Sequence, residues 1–490
     1  MKIIVKHRNI LIFLFVFSLG IITCFGYVKG HYSIDDYNIM NIGYEDYSVM
    51  NNLKEGRVTM YLIDQIALLF NMDYKLFIIL TVVLAIFISS ITIVLYYNEI
   101  LKLVGKFEKK EKILLLVICY STFFNFMYLE NLYFVEAIVM ALALLLYFIS
   151  AKFLIQHKKI LLAIIMAIAA NFCYNGIQCY YITLVFILSL LKEKDNYKKI
   201  FLNTLIAGGI IVLAVGINLI QIRITCNIFN IENSRMSSIS NIFINLLTVI
   251  SYIPKMIINT SQLFPKYLYL VCISICFLWS IFFAKHNKNN KIIINELLTI
   301  IVSIMSCFCI SVFSLSSFGN GRILFGMGMT VGLMLQLNLI ESRNSKSKIL
   351  NNFLSIVIVI YFILNILNYM YIIDLHCKIE EYEKKEIMEL EQYIEKYEQE
   401  NNIKVDKFCM VYTENKRNTD TFNITNIRNE VTRRGLVCYF SCDGIINYYT
   451  GRKLERVELN KEIFNIYSKL KDTDQKYLFI NNILICPIYY

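Results

Sequence analysis

Residues 76–97 read LFIILTVVLAIFISSITIVLYY, 22 positions without a charge, closed by Lys75 on one side and by Glu99 and Lys102 on the other. At a helical rise of about 1.5 Å per residue, a run of this length crosses a hydrocarbon layer roughly 30 Å thick. Working outward, runs of the same kind recur at 9–28, 113–129, 132–151, 160–174, 177–191, 200–220, 267–284, 292–318, 323–340 and 349–371, which predicts eleven transmembrane helices. The 490 residues are 57% hydrophobic and 17% charged, against roughly 45–50% apolar and 25% charged in an ordinary soluble domain. A single soluble globule is thereby excluded. With only three prolines and 18 glycines, collagen-like and low-complexity classes are excluded too.

Charge orders these spans. With a cytoplasmic amino terminus, 21 basic residues fall in six short inner loops, including Lys102, Lys106, Lys109, Lys110 and Lys112 in one of them. The opposite side carries nine before the last span ends: Lys29, Lys54, Arg57, Lys75, Arg223, Arg235, Lys255, Lys266 and Arg322. Positive residues stay inside, so this alternation agrees with every span. The net charge of +11 mostly reflects that bias and does not indicate nucleic acid as a partner. The first run lacks a small-x-small cleavage site and reads as a retained signal anchor.

The expected fold is thus an all-α polytopic membrane domain over residues 1–371, with residues 372–490 as a small extracytoplasmic α+β domain. In that tail Leu375, Ile379, Tyr382, Leu390, Ile394 and Tyr397 recur at helical spacing, which predicts one amphipathic helix. Runs 407–412, 436–441 and 477–486 are rich in Phe, Tyr, Val and Ile and predict strands. Of the 14 cysteines, five lie in the tail (Cys377, Cys409, Cys438, Cys442 and Cys486), an odd number, so at least one has no partner within the tail. Cys438 and Cys442 lack the second ligand pair a zinc site needs.

Candidate chemistry lies outside the inner loops. Asp35 and Asp36 are adjacent; in a plain loop they point apart into water, in a site one serves as base and the other as hydrogen-bond organiser or cation ligand. Glu55-Gly56-Arg57 leads into the 13-residue apolar segment 58–70, too short to span and suited to the membrane interface. Arg57 there either binds two phosphate oxygens of a substrate or snorkels to lipid headgroups. Glu130, Asn131 and Tyr133 form the turn before Glu136, an ionisable group inside a span, which usually faces a cavity or a partner. Asn171, Tyr174, Asn175 and Gln178 either line a sugar pocket or satisfy the backbone at a tight turn. In the stretch from Ser314 to Arg322 the glycines at 319 and 321 permit a tight turn, and Arg322 is its only charge. That arginine either stabilises a leaving phosphate or anchors the chain at the interface. Segment 221–266, with Glu232 and Arg235, contains the apolar stretch 242–258, read as an interfacial or a re-entrant helix.

In this order the residues resemble the GT-C class of integral membrane glycosyltransferases, most of all the bactoprenol-phosphate-glucose-dependent, O-antigen-modifying glucosyltransferases of type II. Carrying the resemblance are Asp35-Asp36 after the first span, Gly56-Arg57, the segment Glu130-Asn131-Leu132-Tyr133-Phe134-Val135-Glu136 with Glu136 where an Asp is usual, Tyr174-Asn175-Gly176-Ile177-Gln178, and Arg322 before a glycine-rich helix. The likeness spans roughly residues 9–340. It implies transfer of a hexose from a polyprenyl-phosphate donor to a cell-surface glycan acceptor on the outer face of the plasma membrane. It further implies Asp35 or Asp36 as base, Glu130 and Glu136 as further acidic members of the site, and Arg57 and Arg322 on the leaving phosphate, with Tyr133, Tyr174 and Gln178 contacting substrate. A divalent cation, Mg or Mn, is compatible with Asp35 and Asp36, although no ligand spacing demands one. The competing classes are a transporter or flippase of lipid-linked saccharides, against which stand the absence of a repeat and of midplane charges, and a polysaccharide polymerase, whose discriminating feature would be arginine-rich paired outer loops.

Overall fold

The computed structural model describes residues 2–105, 107–194, 196–231, 242–309, 319–345, 347–413, 429–470 and 478–489. Lys106, Glu232, Arg235, residues 314–318, Lys346 and Tyr477 lie outside them. Two compact units result: Met1–Lys29 with Ser48–Tyr371, and Gly30–Tyr47 with Ile372–Tyr490.

In chain order the helices are α1 (Lys2–Thr23), α2 (Phe25–Val28), α3 (Ile34–Ile42), α4 (Tyr44–Tyr47), α5 (Val58–Leu69), α6 (Tyr74–Val104), α7 (Lys109–Phe123), α8 (Tyr128–Tyr133), α9 (Ala137–Lys152), α10 (Ile160–Cys173), α11 (Cys179–Glu193), α12 (Tyr197–Phe229), α13 (Ile242–Asn259), α14 (Leu268–Asn287), α15 (Lys291–Phe308), α16 (Phe325–Ser342) and α17 (Lys348–Asn401). Helices α3 and α4 belong to the second unit, and the division between units falls within α17, after Tyr371. In the first unit α6 packs on α1 and α9, α10 and α11 pack on α12, and α16 packs on α7, α14 and α15.

By length and composition seven helical stretches among the described residues can cross a membrane: Tyr74–Val104, Ala137–His157, Tyr197–Phe229, Phe243–Gln262, Leu268–Asn287, Lys291–Phe308 and Lys348–Asn401. The chain is therefore a helical, multi-pass membrane protein. The surface of the first unit supports this, because Phe201, Val212, Ile220, Ile228, Ile349 and Leu367 are exposed where a soluble helix would place charges. Helix α5 shows the same inversion, with Leu62, Ile66, Leu69 and Phe70 outward and Asp64 buried.

The helical stretch Phe243–Gln262, which covers most of the segment 242–258 read from sequence as interfacial or re-entrant, is long and apolar enough to span. Conversely α7, α10 and α11 are 15, 14 and 15 residues long, shorter than the roughly 20 needed for a full crossing. Polar residues at their ends divert the backbone from helical pairing. Asn125 Nδ2 donates to the Thr122 carbonyl (2.8 Å) and its Oδ1 accepts from Met127 N (3.0 Å), closing the break between α7 and α8. Tyr369 donates to the Asn125 carbonyl (2.7 Å), and Asn365 donates to that of Phe124. Broken helices at membrane depth persist only where other protein groups satisfy the backbone in this way.

In the second unit four strands, β1 (Lys407–Thr413), β2 (Glu455–Arg456), β3 (Leu478–Ile480) and β4 (Ile483–Tyr489), form a sheet of order β2-β1-β4-β3. Strand β1 runs parallel to β2 and to β4, whereas β3 and β4 are antiparallel. Cys409, Val411 and Ile485 meet Ile463 and Tyr467 of the helix Lys461–Leu470. The predicted strand at 436–441 is a correction: the chain makes a 3₁₀ turn at Gly435–Val437 and then the helix Cys442–Thr450. The cause lies far away in sequence, because Glu383 accepts from the backbone N–H of Gly435 (3.1 Å) and of Leu436 (3.0 Å) and so removes donors that a ladder would require. The amphipathic helix predicted in the tail is the continuation of α17, since no Gly or Pro interrupts 348–401.

Candidate functional site

The first unit gathers charges where helices begin and end. Gly56 adopts φ +81°, and a Cβ there would lie 2.3 Å from Asn218 Oδ1, so only glycine permits the approach of α12. Asn218 Nδ2 donates to the Gly56 carbonyl (2.9 Å), Gln221 Nε2 to that of Leu53 (3.3 Å), and Asn175 Nδ2 to that of Glu55 (3.2 Å). Asn52 accepts from Arg57 N (2.8 Å) and donates to the buried Asp64 (2.7 Å). Backbone and amide contacts thus fix the step into α5 before its side chains are considered.

Arg57 stands at the N-cap of α5. Its Nη2 lies 2.7 Å from Glu55 Oε2, its Nη1 lies 2.9 Å from Glu136 Oε1, and its guanidinium faces the Tyr174 ring at 5.2 Å. Glu136 is the N-cap residue of α9 and its side chain is 1% exposed. A second pair lies close by. Glu130 Oε2 accepts from Gly321 N (2.7 Å), its Oε1 is 3.6 Å from Arg322 Nε, and Arg322 stacks on Phe134 at 4.4 Å. A Cβ on Gly321 would come within 2.9 Å of Glu130 Oε2 and 2.3 Å of Leu263 Cδ1, which is why glycine precedes this arginine. The charges of Arg322, Arg57, Glu136 and Glu130 all act on the Tyr174 phenol. The two pairs are therefore one electrostatic cluster around a buried aromatic ring.

Of the residues singled out from sequence, Arg57, Glu130, Glu136, Tyr174 and Arg322 come together in this cluster. Gln178 Oε1 accepts from Asn171 Nδ2 at 3.0 Å and holds the α10–α11 turn. Tyr133 is buried, with its ring 4.8 Å from Phe134 and 6.4 Å from Tyr27. Asp35 and Asp36 belong to the second unit. There Ser33 and Asp36 form a capping box on α3, each side chain accepting from the other's backbone N–H, the arrangement that satisfies two otherwise orphaned donors. Asp36 is buried and Asp35 half-buried.

Four contributors escaped the sequence reading as site residues. Glu55 shares Arg57 with Glu136. Asn218 and Gln221 buttress the loop from one face of α12, and their spacing of three inside an apolar run was the available signal. Asn131 is fully buried, and neither its Nδ2 nor its Oδ1 has a hydrogen-bond partner among the described residues. A buried amide left so costs about 1–3 kcal/mol.

This arrangement holds two guanidinium groups and a phenol beside three carboxylates, a set that can engage an anionic, hydroxyl-rich molecule. Among the described residues no group of three or more His, Cys, Asp or Glu is placed to hold a metal ion. Compared with protein families, with curated proteins and with solved structures, the chain matches none.

Proposed function

We propose that this protein is a membrane glycosyltransferase that moves a hexose, glucose first among candidates, from a polyprenyl-phosphate carrier to a cell-surface glycan. The observation that carries the reading is the pair of arginines, Arg57 buried at the N-cap of α5 and Arg322 half-buried in the turn before α16, each held by a carboxylate and an aromatic face. Arginine binds phosphate oxygens through its planar fork, and two of them suit a leaving group that gains negative charge as the glycosidic bond breaks. The acceptor hydroxyl attacks the anomeric carbon and its proton passes to a carboxylate. Asp35 is that base; what supports it over Asp36 is that the Asp36 carboxylate is engaged in the α3 cap. Glu130 and Glu136 keep the arginines oriented and offer negative potential to the oxocarbenium-like transition state. Asn131 and Tyr174 bind sugar hydroxyls. A single displacement inverts the anomeric configuration. The protein resides in the plasma membrane, with its amino terminus cytoplasmic and residues 372–490 outside.

One observation favours a second reading, transport of a lipid-linked saccharide. Glu296 is buried within α15, beside Ser280 of α14, and an ionisable group inside a membrane is costly unless it has work there. Proton-coupled transport would be lost in Glu296→Gln, whereas sugar transfer would continue.

The deciding experiment measures hexose release from synthetic polyprenyl-phosphate glucose, with cell-wall glycan present, by wild type, Asp35→Asn and Asp36→Asn. We expect Asp35→Asn to abolish turnover in a folded protein and Asp36→Asn, which keeps a capping acceptor, to retain part of it. Undiminished turnover in Asp35→Asn removes that residue from the mechanism. Absence of wild-type turnover with every lipid-linked hexose sinks the transferase reading.

A further inference from the structure

The acidic helix is not held by the loop that carries it. Helix α3 has nine residues, fewer than the 12–15 or so at which an isolated helix becomes even marginally stable in water. Its capping box supplies about 1 kcal/mol, and it ends at Gly43 with φ +91°. The rest of its order comes from the helix Cys442–Thr450 of the same unit, some 400 residues away in sequence.

Contact between the two is intimate. A Cβ added to Gly444 would stand 1.8 Å from the carbonyl oxygen of Tyr37 and 2.5 Å from its carbon; the obstacle is backbone, so no rotamer change relieves it. Tyr37 and Tyr449 share a hydrogen bond between their hydroxyls (2.9 Å), as do Tyr32 and Tyr448 (3.0 Å). Asn447 Nδ2 approaches Asn41 Oδ1 at 3.4 Å, and Tyr32 N donates to Glu380 Oε2 at 3.3 Å. Tyr37 and Asn41, four residues apart, lie on one face of α3. At 3.6 residues per turn, Asp35 sits about 200° around from Tyr37, on the opposite face.

We infer that the helix Cys442–Thr450 is the positioning element of α3, gripping it through Gly444 and the paired tyrosines while Asp35 faces the other way. This rests on the glycosyltransferase reading, with Asp35 as base. Gly444, Tyr448 and Tyr449 are positioning residues: they touch no substrate, and their loss acts through the placement of one carboxylate.

The test uses the full chain in detergent micelles and reads two quantities independently. Amide hydrogen exchange over residues 34–42 reports the docking; steady-state transfer from polyprenyl-phosphate glucose reports its consequence. In Gly444→Val we expect exchange in 34–42 to quicken at least tenfold with α6 unchanged, and kcat to fall at least tenfold with donor KM unchanged. Because that variant risks misfolding, Gly444→Ala and Tyr449→Phe accompany it, and both are expected to lie between it and wild type in both readouts. Wild-type exchange in Gly444→Val overturns the inference, as does a loosened α3 with full kcat. Failure of the underlying reading looks different: no hexose release by wild type, or full release by Asp35→Asn, while α3 exchange still responds to Gly444.

Discussion

Replacing Arg57 separates a structural arginine from a phosphate-binding one, provided that its partner is replaced with it. In Arg57→Met the Glu136 carboxylate, 1% exposed and 2.9 Å from the lost guanidinium, remains in place without it. Unit charges about 4 Å apart attract by about 4 kcal/mol at an effective dielectric constant near 20, and removing one member of a buried pair typically costs about 3–5 kcal/mol. Glu55 is 14% exposed and can turn to water, so its share is smaller, about 1 kcal/mol. The single variant is therefore destabilised by about 4 kcal/mol, and its inactivity would prove little. The double variant Arg57→Met, Glu136→Leu removes both charges for side chains of similar volume, an exchange that is often neutral or stabilising. A thermodynamic cycle over the four proteins should return a coupling of about 3 kcal/mol.

The double variant then carries the functional test. If Arg57 meets the departing phosphate, a protein as stable as wild type should lose about 2.7–4 kcal/mol of transition-state stabilisation, or 10²–10³ in kcat. Thermal unfolding in micelles and single-turnover hexose transfer measure the two sides. Arg57→Lys keeps the charge without the fork and should fall between. A double variant that is stable and transfers at more than a tenth of the wild-type rate would refute the phosphate role.

Three other outcomes follow from the same geometry. Asn131→Leu should raise stability by about 1 kcal/mol in thermal unfolding and raise donor KM about tenfold, the loss of one sugar hydrogen bond; an unchanged KM would return Asn131 to a structural oddity. Arg434 lies against Glu383 (3.4 Å) and Glu386 in the second unit, so Arg434→Met should destabilise that unit by about 3 kcal/mol, read as faster proteolysis of residues 372–490 with the first unit intact. Burial pushes the thiols of Cys438 and Cys442 up to about 12. Both stay protonated at neutral pH, and maleimide labelling should be slow at pH 7 and quicken about tenfold per pH unit, since only the thiolate reacts.

The membrane class was legible because run length and loop charge are one-dimensional properties. Span boundaries were not, because Asn125 and the α10–α11 turn end helices by tertiary hydrogen bonds from Asn365, Tyr369 and Asn171. Segment 242–258 was readable as an apolar helix, but a run of that length suits an interfacial, a re-entrant or a spanning helix alike. Within the cluster, residue types were readable as chemistry and the pairing was not, since Arg57 and Glu136 stand 79 positions apart. Gly56 and Gly321 were the best local clues, each a place where another side chain must come close. The capping box on Asp36 was readable in principle from Ser33 and Asp36 at a spacing of three, whereas the docking of α3 on Gly444 was beyond any local pattern.

Charge arithmetic in the cluster makes a further demand on any anionic donor. Three carboxylates, Glu55, Glu130 and Glu136, already lie against Arg57 and Arg322. A polyprenyl-phosphate sugar brings a further negative charge, and its product, a phosphate monoester, between one and two. Adding like charge to a site of low dielectric is resisted by several kcal/mol, so binding should draw in compensating positive charge, either a proton onto one carboxylate or a divalent cation. If a proton, calorimetry in buffers of different ionisation enthalpy reports uptake of about one proton per ligand. If a cation, EDTA weakens binding and magnesium restores it, with no buffer dependence. Binding that is indifferent to buffer and to EDTA would mean that the phosphate does not enter this cluster, and Arg57 and Arg322 would then be paired for the fold alone.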